Sequence, residues 1–191
     1  MKSGWVLGQA RDGGDAKQFP LQPSRANPTD MKALLTTAVL LTAAPLAAEP
    51  TPEQAETIAA ADAFFAALRS DDKTALAAQM LPEGVIFIHN RMTPDAPRVD
   101  VVPVARHLEN WLKSPPGLDE RMVYTTVLVD GDMAQVWGPY RFTAGGKTTH
   151  CGINSLSLVK RDGVWKVANT SFSMVPPDQC AALGAPEAPA P

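Results

Sequence analysis

From Thr51 onward, apolar positions first recur every three or four residues and then, past Asp119, nearly every second residue, so the chain predicts helices followed by strands. Thr51-Pro52-Glu53-Gln54 has the form of a capping box with proline at the first helical position. Behind it Ile58, Ala61, Phe64, Phe65 and Leu68 form one apolar stripe, which predicts an amphipathic helix to about Arg69. Asp71 and Asp72 introduce a second, shorter helix through Ala75, Leu76 and Met80, stopped by Pro82 and Gly84. The β-branched and aromatic run from Val85 to Asn90 predicts a strand, and Pro94 to Pro97 a loop. A third helix carries Val104, Leu108, Trp111 and Leu112 on its inner stripe with His107 on its flank, and ends at Pro115-Pro116-Gly117.

The remainder predicts a four-strand meander at about 120–129, 133–143, 147–160 and 164–174. Its turns are Asp130-Gly131, Gly145-Gly146 and Asp162-Gly163, dipeptides suited to type I′ hairpins. Helices first and an antiparallel sheet second define an α+β fold with helices on one sheet face. With uninterrupted two-residue turns, Trp137 faces Asn154 and Asn154 faces Ser171. One face then carries Met133, Trp137, Arg141, His150, Asn154, Leu156, Leu158, Trp165, Val167 and Asn169. The other carries Val136, Tyr140, Phe142, Cys151, Ile153, Phe172 and Met174. Both faces are largely apolar, which predicts a sheet covered on both sides by a homodimer partner or an added layer, and a bulge would swap the assignment locally.

Upstream, residues 31–48 run from a charged start at Met31-Lys32 through a short apolar stretch to Pro45 and small residues, the grammar of a cleavable export signal. The run is shorter than the roughly 20 residues of a membrane span, so no membrane anchor is expected after cleavage. Residues 1–30 lack apolar periodicity and read as an unstructured or mis-assigned extension, with Met31 as the expected initiator. The exported domain then covers 49–176, and 177–191 is a tail rich in proline and alanine. A periplasmic or secreted location follows. In an oxidising compartment the two cysteines, Cys151 and Cys180, are expected as a disulfide rather than two free thiols. With 191 residues, 45% hydrophobic, and a net charge of -3 without a lysine/arginine run, one domain is expected and nucleic acid is not an expected partner.

Four segments of the sheet region carry a family resemblance: Asp130-Gly131-Asp132 to Trp137, Gly138-Pro139-Tyr140-Arg141-Phe142, His150-Cys151-Gly152-Ile153-Asn154-Ser155-Leu156, and Gly163-Val164-Trp165-Lys166-Val167. With the order of elements, they resemble the nuclear-transport-factor-2-like superfamily, which includes SnoaL-like cyclases and ketosteroid isomerases, over about Thr51 to Cys180. The resemblance implies a cone whose concave sheet face and helices enclose a pocket and whose convex face often makes a homodimer. Such a fold does not decide chemistry, since by the same resemblance the cone serves small-molecule binding, isomerase, cyclase or dehydratase catalysis, or a noncatalytic dimeric interaction module using the exposed sheet face.

An isomerase or cyclase needs a positioned base and an oxyanion stabiliser near a desolvated substrate. Asp130, Asp132 and Asp162 are turn residues, Asp62 reads as solvated helix face, and Asp119 with Glu120 could form a rim pair. His89 and His150 are the candidate bases, each also readable as a hydrogen-bonded structural histidine. Were both in one cavity, Trp137, Arg141, His150, Asn154 and Asn169 could hold a small, partly apolar molecule: the tryptophan by stacking, the arginine by pairing with an anionic group. Three scattered histidines predict no metal site, and no glycine-rich phosphate loop or nucleophile elbow calls for a cofactor or a serine nucleophile.

Overall fold

The computed structural model describes residues 49–188, so the expected extension and export signal lie outside the described residues. Helix α1 (Pro52–Arg69) begins with the capping box as expected: Gln54 N–H donates to Thr51 Oγ1, and Thr51 N–H donates to Gln54 Oε1. Its stripe buries Ala61, Phe64, Phe65 and Leu68. The expected second helix is a single 3₁₀ turn, Ala75–Ala78, that buries Leu76. Strand β1 (Val85–Asn90) is followed, after the expected loop at 94–97, by β2 (Arg98–Pro103), a strand that was not expected, and then by α2 (Val104–Trp111). Helix α2 ends one residue short of Leu112, which is 56% exposed.

The first meander strand is divided into β3 (Leu118–Met122) and β4 (Thr126–Asp130). Both pair antiparallel with β5 (Met133–Ala144), but the register steps by one residue between Met122–Tyr140 and Thr126–Trp137. Gly138 permits the crossing, since a Cβ there would lie 1.8 Å from the Val123 carbonyl oxygen. Strands β6 (Lys147–Arg161) and β7 (Val164–Met174) complete the hairpins. Positive φ at Gly145, Gly146, Asp162 and Gly163 gives the two later turns their type I′ form. In the first turn the central pair is Gly131-Asp132 and only the glycine has positive φ, the pattern of a type II′ turn.

The result is an α+β fold with a curved, unclosed seven-stranded sheet in the order β2-β1-β7-β6-β5-β3, with β4 also paired to β5. Strand β1 lies parallel to β7, which seats the β1–β2 hairpin beside the meander. The core lies between the concave sheet face and α1, the 3₁₀ turn and α2, and includes Phe64, Phe65, Leu76, Ile86, Trp111, Val136, Leu156 and Leu158. Gln54 Nε2 donates to the Val127 carbonyl and Arg69 Nη1 to the Glu120 carbonyl, fastening both ends of α1 to the sheet.

Two bulges correct the expected faces. In β5–β6 the register moves from Thr143–Thr148 to Phe142–His150, leaving Thr149 extra; in β6–β7 it moves from Leu158–Val167 to Ser157–Asn169, leaving Ala168 extra. One inserted residue reverses the face of everything beyond it. Trp137 therefore faces Ser155, and Asn154 faces Phe172. The concave face unites His150, Asn154, Leu156 and Leu158 with Val136, Tyr140, Phe142 and Phe172. Met133, Trp137, Arg141 and Asn169 share the convex face with Cys151 and Ile153. The centre of that face is polar rather than apolar: Ser157 Oγ donates to Gln135 Oε1 at 2.9 Å, and Gln135 Nε2 donates to Ser155 Oγ. Exposed Phe87, Val101 and Trp137 lie to either side.

The tail is anchored. Cys151 and Cys180 form a disulfide, and with Val175 and Ala185 they make a small second core on the convex side.

Candidate functional site

Between the helices and the concave face is a cavity of about 160 Å³. Phe64 and Leu68 of α1, Met80, and His107 and Trp111 of α2 form its helical side, and Ile86 of β1 adds to the sheet side. Glu120, Tyr140, Phe142, His150, Asn154, Thr170, Phe172 and Met174 come from the sheet. The sheet residues alternate along their strands, as the pleat requires.

Polar groups are few and specifically placed. Asn154, 3% exposed, donates from Nδ2 to Glu120 Oε1 at 3.1 Å, while its Oδ1 is buried without a hydrogen-bond partner among the described residues. The Trp111 indole N–H is likewise buried and unpaired. Burial pushes the Glu120 carboxyl up to about 7, against the Asn154 hydrogen bond and the Arg69 charge, which both lower it, and with Asp119 raising it further. Tyr140 is engaged through its hydroxyl, which donates to the Ser173 carbonyl at 2.9 Å, and burial raises its phenol well above its ordinary value.

His150 stacks on Phe142 with ring centroids 5.1 Å apart, meets the Tyr140 ring edge-on, and has Nδ1 2.8 Å from Thr149 Oγ1. Burial lowers its pKa to about 4, so the ring is neutral at physiological pH. Burial also lowers His107, whose ring lies 5.8 Å from that of Trp111. The cavity is thus aromatic and apolar, with one acid held near neutrality and two uncharged imidazoles.

The expected site residues separate. His150 and Asn154 line this cavity, but His89 and Trp137 share a convex groove of about 280 Å³ with Arg91, Ile153 and Ser173. His89 Nε2 is 3.0 Å from Ser171 Oγ. Arg141 donates from Nε to the Pro186 carbonyl and from Nη1 to Thr148, holding the tail rather than facing Asn154. Asn169 lines another convex groove with Leu128 and Met133, and accepts from Val85 N–H. The expected rim pair divides as well: Asp119 pairs outward with Arg121 at 3.0 Å, whereas Glu120 turns in. Asp62 is exposed on α1 and accepts from the Tyr124 hydroxyl at 2.7 Å.

Sequence reasoning passed over Tyr140, His107, Trp111 and Thr170 as site residues. Glu120 carried a usable signal, for it occupies the inward position between Leu118 and Met122 in a period-two strand.

A family model described as the SnoaL-like domain matches residues 58–177. This chain belongs to the SnoaL-like family. Solved structures agree with its fold. The SnoaL-like chain is similar to a protein of unknown function with an NTF2-like assignment from Shewanella baltica, at 13% identity and TM-score 0.51, covering 67% of this chain and 99% of that one. It is also similar to an NTF2-like protein of unknown function from Silicibacter pomeroyi, at 14% identity and TM-score 0.50, covering 64% and 95%. A protein of unknown function with a cystatin-like fold from Nostoc punctiforme aligns at 11% identity and TM-score 0.51, covering 66% and 95%. No curated protein matches the chain. These likenesses establish the nuclear-transport-factor-2-like cone and leave the chemistry to the site.

Proposed function

We propose that this SnoaL-like protein is an exported module that binds a small, partly apolar molecule between its helices and sheet. The observation that carries the reading is the pair of unpaired polar atoms, Asn154 Oδ1 and Trp111 Nε1, on residues lining a cavity whose walls are largely aromatic and apolar. Buried polar groups ordinarily have partners, and ligand sites combine apolar walls with a few convergent polar groups. The disulfide is compatible with a periplasmic or secreted location. Toluene titrated into the protein, read by the methyl resonances of Leu68, Met80, Ile86 and Met174, tests the site. Saturable shifts confined to these residues are expected in the parent and absent in Thr170→Trp, or in Leu68→Trp should the first variant fail to fold. Uniform or absent shifts in the parent contradict the proposal.

A second reading, acid–base catalysis of the isomerase, cyclase or dehydratase kind, is favoured by one observation. Glu120 has a pKa near operating pH, as a general base needs, whereas His150 is too weakly basic for the part first considered for it. A turnover whose pH profile follows Glu120 and disappears in Glu120→Gln, with ligand binding retained, is the expected signature. A profile unchanged by that substitution counts against it. Homodimerisation through the convex face draws support from exposed Phe87, Val101 and Trp137, and predicts a dimer by light scattering that Trp137→Ser weakens. A monomer in the parent would contradict it.

A further inference from the structure

We propose that the cavity selects an uncharged, ring-sized molecule whose head group both donates and accepts a hydrogen bond, of the hydroxyl or primary-amide class, and disfavours carboxylates and ammonium ions. This rests on the cavity being a ligand site and deepens that reading to a chemical class.

Size comes first. A cavity of about 150 Å³ accommodates one benzene ring, and this one, at about 160 Å³, leaves room for little more than a ring and a short substituent. Phe142 and Phe172 supply aromatic walls on the sheet side.

Charge comes second. No lysine or arginine is among the lining residues, and burial holds His107 and His150 neutral. A carboxylate entering here would lose its hydration and gain no cation from the lining: the Lys73 ammonium, 5.5 Å from the Trp111 ring centroid, lies outside it and donates to the Ser70 carbonyl, and a few neutral hydrogen bonds do not offset the cost. An ammonium ion has one acidic group to meet, Glu120. That carboxyl already accepts from Asn154 and already feels the Arg69 charge, whose guanidinium donates to the Glu120 carbonyl oxygen. An ammonium group also brings no acceptor for the Trp111 indole N–H.

Hydrogen bonding decides between the remaining neutral ligands. Asn154 Oδ1 needs a donor and Trp111 Nε1–H needs an acceptor; the residues are 3% and 8% exposed. A hydrocarbon leaves both unsatisfied, whereas a hydroxyl or primary amide carries both functions.

The test uses five molecules built on one ring: toluene, benzyl alcohol, benzamide, benzoate and benzylammonium. Each is titrated into the oxidised full chain, with the Trp111 indole N–H resonance followed beside the cavity methyls. Benzyl alcohol and benzamide are expected to bind at least tenfold more tightly than toluene and at least tenfold more tightly than either ion. The indole proton should move downfield with benzamide but not with toluene. Asn154→Leu should abolish the preference for benzamide over toluene while toluene still binds, and Trp111→Phe supplies the same comparison if Asn154→Leu does not fold. Benzoate, benzylammonium or toluene equalling benzamide would overturn the class and leave the site standing. Failure of all five, toluene included, would overturn both.

Discussion

Replacing Glu120 by glutamine keeps an acceptor for Asn154 Nδ2 and removes one titrating group, so the substitution reads the cavity's electrostatics directly. In the folded protein the Glu120 carboxyl holds its proton to about pH 7, against a reference of 4.5. Between those values the folded state binds more protons than the unfolded chain, so stability falls as pH rises through the window and levels off above it. At about 1.4 kcal/mol per pKa unit the shift amounts to roughly 3 kcal/mol, or about 2 once the residue's partial solvent exposure is allowed for. The groups that bear on it are Asn154, Arg69 and Asp119, with Tyr140, His107 and His150 lining the same cavity. The histidines titrate in parent and variant alike, so subtracting the two curves isolates the acid. Urea unfolding followed by tryptophan fluorescence from about pH 5 to pH 8 is the assay. The parent should lose about 2 kcal/mol relative to Glu120→Gln across that range. Parallel curves would refute the burial argument and with it the desolvated character of the cavity.

Other consequences are equally checkable. His150, lowered by burial from 6.5 to about 4, binds fewer protons folded than unfolded, so it makes stability rise with pH over that window. In His150→Phe, which preserves an aromatic ring beside Phe142, acid titration of stability should lose that rise, and an unchanged acid limb would count against it. Removing the Cys151–Cys180 bridge by double alanine substitution should cost about 3 kcal/mol by denaturant unfolding, from release of a link across 29 positions. A loss below about 1 kcal/mol would mean the tail is held by packing alone. Gly152→Ala places a Cβ 1.8 Å from the Ser173 carbonyl oxygen, so β6 and β7 must part beside the Tyr140 hydrogen bond, and a loss of more than about 2 kcal/mol is expected in thermal unfolding.

Much of the fold was legible because local chemistry and tertiary demand agree. Thr51 and Gln54 close a capping box that needs nothing from the rest of the chain, and Gly145-Gly146 and Asp162-Gly163 supply the backbone conformations their turns require. Strand β2 was hidden by the prolines around it, although Arg98, Val99, Asp100 and Val101 do alternate. The site was less legible because its composition depends on two inserted residues. Thr149 and Ala168 look like ordinary strand residues, yet each reverses a face, moving Trp137 and Asn169 away from Asn154 and bringing Tyr140 and Phe172 to it. His107 was read on a helix flank, and the periodicity of one helix does not say which flank will line a cavity. Glu120 was noticed as half of a rim pair, but its separation from Asp119 follows from pleat alternation that a one-strand reading could have used.

The central claim is that the cavity between α1, α2 and the concave sheet face holds a small molecule. Native mass spectrometry of the protein purified from its own compartment, beside Thr170→Trp purified identically, tests it most directly. The account predicts a discrete added mass, of a small neutral compound, on the parent and its absence from the filled-cavity variant. An added mass retained unchanged by Thr170→Trp, or a parent that carries none and takes up no toluene, would contradict it.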